Sequence, residues 1–71
     1  MRYTFKPSRE SGCVDVCAEG VTTHYGEGIC DRFALYESQD TWQVAAREYI
    51  EECNGEIVSE SPAEIVAEIA G

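Results

Sequence analysis

Four cysteines, one histidine and fourteen acidic residues are the groups in this 71-residue chain with the capacity for chemistry. The cysteines run Cys13-x3-Cys17, then twelve residues to Cys30 and twenty-two to Cys53. Structural zinc sites present tight Cys pairs on turns, but Cys13 and Cys17 fall in an alternating, strand-like segment. Four residues of strand separate Cα atoms by about 13 Å, whereas two thiolates on one zinc, each bonded at about 2.3 Å, lie within roughly 4 Å of each other. A second tight pair is missing, so no metal site and no cofactor are expected. A small zinc-stabilised module is the alternative from another class. In a reducing compartment the four thiols stay free: Cys30 and Cys53 as small buried hydrophobes, Cys13 and Cys17 partly exposed. His24, in VTTHY, has the chemistry of a base for a cysteine nucleophile, but no orienting partner or elbow motif marks it. Gly26-Glu27-Gly28 reads as a turn rather than a phosphate loop. The expectation is a protein that is not an enzyme.

The acids are the more informative set. The net charge is -9, and it is unevenly placed. Residues 1–36 hold five acids and four bases, net -1; residues 37–71 hold nine acids against Arg47 alone, net -8. Glu48, Glu52, Glu56, Glu60, Glu64 and Glu68 recur at every fourth position, with Glu51 beside them. On a helix such carboxylates are neighbours about 5–6 Å apart and repel. A chain that keeps this repulsion presents an anionic row suited to a groove lined by Lys and Arg. The same field repels nucleic acid and anionic membranes. The predicted partner-binding residues are therefore Glu48, Glu51, Glu52, Glu56, Glu60, Glu64 and Glu68. A rival attachment uses an exposed patch of sheet with Tyr25 and Tyr36 as aromatic anchors.

The elements that must position these groups centre on Ser38–Gly55. Asp40 reads as an N-cap with Gln43 three residues on. Trp42, Ala46, Tyr49, Ile50 and Cys53 form one apolar helical stripe, and Asn54-Gly55 provides a left-handed stop. Before it, Arg2–Lys6 alternates as a half-buried strand. Cys13–Glu19 alternates with Val14, Val16 and Ala18 inward, and Gly20 breaks the run. Val21–Tyr25 leads to a turn at Gly26-Glu27-Gly28, and Ile29–Tyr36 leans to strand. After the helix, Glu56–Ser59 is a short strand. Ser61-Pro62-Ala63-Glu64 is a start signal for a short terminal helix burying Ile65, Val66 and Ile69. The fold class is α+β: an antiparallel β-meander of three to four strands covered by one main helix, plus a short strand and a short C-terminal helix. Residues 1–71 form a single small acidic domain, near the size where a core is only just sufficient.

No run approaches the roughly 18 apolar residues of a membrane span, and MRYTFKPSRE lacks the apolar region of a secretory signal. A cytoplasmic location is expected. In size, acidity and want of catalytic motifs the chain resembles the small phage-encoded inhibitors of bacterial defence, anti-CRISPR proteins among them. Several of those occupy a nucleic-acid-binding surface of the defence complex. The resemblance lies in composition and carries over no individual residue. It implies action in the host cell cytoplasm as a non-enzymatic, acidic nucleic-acid mimic that binds a basic nucleic-acid-handling protein, as monomer or homodimer. A fainter likeness, to acidic antitoxins of the HicB type, rests on the opening strand Met1–Lys6, the meander and the Ala- and Glu-rich helix Asp40–Cys53.

Overall fold

In the computed structural model, which describes residues 1–70, the alternating N-terminal segments form three consecutive strands. They are β1 (Arg2–Pro7), β2 (Cys13–Thr23) and β3 (Gly26–Ala34), followed by helix α1 (Trp42–Glu52), β4 (Glu56–Glu60) and β5 (Ile65–Glu68). All five strands pair antiparallel in one sheet of order β3-β2-β1-β5-β4. The period-two patterning works as expected: Phe5, Val14, Val16, Ile65 and Ala67 point to one face and are buried beneath Ala45, Ala46 and Ile50 of α1. Fully burying residues such as Phe5, Ile50, Ile65 and Val14 is worth roughly 1.5–3 kcal/mol each. Among the described residues no helix covers the opposite sheet face.

Two local expectations shift in the meander. Gly20, with φ of 75°, does not end a strand; it sits in a bulge inside β2 where the register against β3 changes. The β2–β3 reversal falls at His24-Tyr25 rather than at the glycines, closed by the pair Thr23↔Gly26. The Thr23 hydroxyl fixes it, accepting from the Tyr25 N–H (3.2 Å) and donating to the Ile29 carbonyl (2.6 Å).

The helix forms where the apolar stripe predicts, but its N-cap is Thr41, whose Oγ1 accepts from Val44 N, rather than Asp40. Its C-terminus is a Schellman turn. Asn54 takes the left-handed conformation (φ 56°), its N–H reaches the Glu51 carbonyl, and the Gly55 N–H reaches that of Ile50 at 2.8 Å. Glycine is required at 55 by proximity: a Cβ there would lie 2.8 Å from Ile69 and 3.0 Å from Ile50.

The short C-terminal helix is not found. Ser61 does act as a cap-like residue, its hydroxyl accepting from Ala63 N and Glu64 N, but the turn it stabilises is that of the β4–β5 hairpin. Ile65 and Ala67 are buried, while Glu68 is exposed, which is strand alternation. A helix of six or seven residues closes too few hydrogen bonds to offset its nucleation, whereas β1 offers an open edge that β5 fills from Arg2↔Glu68 to Phe5↔Ile65. The sheet thereby gains its fifth strand. β4 becomes an edge, with a register shift around Val58 that distorts the exposed ladder.

The helix lies over β1, β2, β5 and β4, and no Cα of α1 comes within 8 Å of one in β3.

Candidate functional site

Loss of the second helix scatters the glutamate row. Four-residue spacing is close to the helical period and is also an even number, so the same glutamates fit one face of a strand. The register shift in β4 then flips them. Glu56 pairs across from Glu68 on the face away from the helix, while Glu60 turns toward α1 and accepts from Arg47 Nε at 2.7 Å. Glu68 accepts from Arg2 Nε at 3.1 Å and lies 3.5 Å from the N-terminal ammonium; the Arg2 hydrogen bond and that ammonium hold its carboxyl below the usual range. Glu64 sits in the β4–β5 turn. Glu48, Glu51 and Glu52 remain together on the exposed side of α1, lining one shallow surface concavity, and none of the three has a cationic partner within 4 Å among the described residues. The predicted set of seven is thus three clustered carboxylates, two satisfied inside the chain, and two apart.

Beside the cluster runs a groove of about 220 Å³ that sequence reasoning missed. It exists because the helix does not reach over β3. The inner face of β3 is covered there only by side chains, chiefly Tyr49, whose ring stacks on Phe33 at 4.7 Å with 9° between planes. Phe33, Tyr36, Gln39 and Tyr49 line the groove, and Glu48 and Glu52 stand on its helical wall. Tyr36, expected as an anchor, is 72% exposed. It is held at the mouth by Gln39, whose Oε1 accepts from Tyr36 N (2.7 Å) and whose own N–H donates to the Tyr36 carbonyl (2.9 Å). A signal for the site was present: Tyr49, on the apolar stripe, stands beside Glu48 and three residues before Glu52, so a helix puts all three along one margin.

Tyr25, the other expected anchor, serves a different structure. Arg32 lies 5.3 Å from its ring and is clamped by Asp15, with Nε–Oδ1 at 2.6 Å and Nη2–Oδ2 at 3.3 Å, and by Glu10 at 3.3 Å. Asp15 is only 4% exposed. Burial alone would raise its pKa, but hydrogen bonds from Arg32 and Ser8 and the charges of Arg32 and Lys6 outweigh that, and the carboxyl is held below its ordinary value. This is a structural ion pair with bidentate geometry. It removes Tyr25 from any patch shared with Tyr36.

The thiols are dispersed. Cys13 and Cys17 lie on β2, Cys53 is the helix C-cap, and Cys30 sits at the β3 register shift, donating from Sγ to the Val16 carbonyl at 3.2 Å. All four are free and half-buried. Burial pushes Cys17 and Cys30 up, favouring the protonated thiol. No cluster of three or more His, Cys, Asp or Glu residues able to hold a metal occurs among the described residues. Another depression, about 650 Å³, is on the uncovered sheet face around Arg2, Thr4 and Cys17, where Arg2 is already engaged by Glu68. Among the described residues no helix is long and apolar enough to cross a membrane.

No protein-family model, curated protein or solved structure matches the chain.

Proposed function

We propose that this chain is a non-enzymatic inhibitor that binds a basic, nucleic-acid-handling protein and blocks its nucleic-acid site in the host cytoplasm, in the manner of anti-CRISPR proteins. The observation carrying this reading is the cluster Glu48, Glu51 and Glu52: three exposed carboxylates on one helical face with no counter-charge. Glu56 and Glu64 lie apart from it, and Glu60 and Glu68, already paired, contribute least. Like charges at i and i+4 cost a helix about 0.2–0.5 kcal/mol, a cost that a positively charged surface would reverse. The net charge of -9 steers such a surface toward the chain and opposes self-association through this face.

The test is displacement of a fluorescent nucleic-acid duplex from purified nucleic-acid-guided defence effectors. The chain is expected to release the duplex, and Glu48→Gln/Glu51→Gln/Glu52→Gln to lose about tenfold in potency, on the scale of one or two charge-assisted contacts. The loss should shrink as salt rises from about 50 to 200 mM. A triple variant as potent as the parent would overturn the reading.

A second reading, an antitoxin of the HicB type, is favoured by the element order β1-β2-β3-α1 on which that likeness rests. Rescue of growth on co-expression with the toxin of such a pair would support it over the first.

A further inference from the structure

The molecule contains one arginine cage built from its own residues: Tyr25 beside the guanidinium of Arg32, two oxygens of Asp15 accepting from it, and Glu10 at the edge. The same kinds of group recur at the groove between α1 and β3. Tyr36 and Tyr49 supply the rings, Glu48 and Glu52 supply the carboxylates, and no Lys, Arg or His of the chain lines the groove. Glu48 and Glu52 are one helical turn apart, so their carboxylates fall on one side of the groove.

Gln39 adds an independent observation. It is 8% exposed, and its Oε1 is committed to the Tyr36 N–H, which settles the orientation of the amide. Its Nε2 donates to no atom among the described residues, yet no fully buried side-chain nitrogen or oxygen there lacks a partner. That nitrogen therefore keeps some contact with solvent, and Gln39 is among the residues lining the groove. A groove whose lining offers an aromatic wall, two carboxylates and one amide with an unpartnered donor is matched by a peptide carbonyl followed by a planar cation.

From this we infer that the groove receives an arginine residue of the partner, its guanidinium lodged against Tyr36 and Tyr49 and bonded to Glu48 and Glu52, with a neighbouring main-chain carbonyl accepting from Gln39. The inference rests on the protein-binding reading above and names its anchor. Arginine fits better than lysine, because a planar guanidinium stacks on rings and forks onto carboxylates while an ammonium is a compact, strongly hydrated charge. A two-fold pairing of this face with a second copy does not fit: it would set this acidic margin against another of the same sign.

The experiment is an amide-resolved NMR titration of the full chain with three capped tripeptides, acetyl-Gly-Xaa-Gly-amide, where Xaa is arginine, lysine or the neutral isostere citrulline. The arginine peptide is expected to shift the amides of residues 33–39 and 45–52 saturably. The lysine peptide should bind about fivefold more weakly, and citrulline should leave them unmoved. Tyr36→Ala should weaken the arginine peptide severalfold at all salt concentrations, and Glu48→Gln/Glu52→Gln should abolish its effect, with unchanged circular dichroism in both variants. Equal response to arginine and citrulline, or shifts centred on Glu56 and Glu64, would overturn the inference. If the peptide maps elsewhere while duplex displacement still depends on the three glutamates, the groove assignment fails and the inhibitor reading stands. If the peptide binds the groove but displacement ignores the glutamates, the inhibitor reading fails and the groove assignment stands.

Discussion

Two acidic-aromatic clusters face different sides of this small sheet, and they differ in what closes them. At the meander, Asp15, Glu10 and Tyr25 enclose Arg32 from the same chain. At the offset between helix and β3, Glu48, Glu52, Tyr36 and Tyr49 surround a groove with no cation of the chain. The first is part of the fold, since removing Asp15 leaves the Arg32 guanidinium with only the exposed Glu10, and removing Arg32 takes from the buried Asp15 its bidentate partner. In the second, Tyr49 packs on Phe33 and the core, but Glu48 and Glu52 form no ion pair among the described residues and cost a little helix stability. The contrast teaches that carboxylates near rings are no sign of function by themselves: internal pairing marks the structural cluster, and its absence marks the one proposed to meet a partner.

The contrast is open to direct attack by mutation. Asp15→Ala is expected to have the largest effect, about 3 kcal/mol, lowering Tm by roughly 15 °C for a domain of this size; urea and thermal melts measure it. A loss below about 0.5 kcal/mol would erase the distinction between the clusters. Next comes Gly55→Ala, where a new Cβ 2.8 Å from Ile69 must displace the helix end; a cost of about 1–2 kcal/mol is expected. That substitution should also disturb the groove, whose wall is the same helix.

Acid should act on the first cluster. The folded carboxyl of Asp15 is held below its ordinary 3.8, so its contribution is complete above that value and is lost as pH falls through the folded pKa. Asp15→Asn should therefore flatten the stability profile below about pH 4, whereas Glu48→Gln/Glu52→Gln should leave that part of the slope in place. The smallest expected change has the opposite sign: Glu48→Gln/Glu52→Gln should raise stability by about 0.3 kcal/mol by removing a like-charge i,i+4 pair. A loss of more than about 0.5 kcal/mol would place these glutamates in the fold after all.

Much of the local structure was legible because it is set by near neighbours. The alternation of Phe5, Val14 and Val16 and the apolar stripe of α1 needed only periodicity, and Asn54-Gly55 carried its own stop. Asp40 is not the N-cap, because Thr41, one residue on, already accepts from the Val44 N–H. The terminal helix failed for a global reason. Ser61-Pro62 is an equally good opening for a helix or for a tight turn, and only the unpaired edge of β1 selects between them. The glutamate row failed with it, because spacing of four does not separate a helical face from a strand.

The sequence alone determined the charge asymmetry, the meander and the central helix, since composition, period and capping act over a few residues. The tertiary structure decided which carboxylates stay unpaired and where an aromatic groove opens. Both depend on β5 pairing with β1 and on α1 settling off β3, and those contacts join residues far apart in the chain, whose free energy no local pattern encodes.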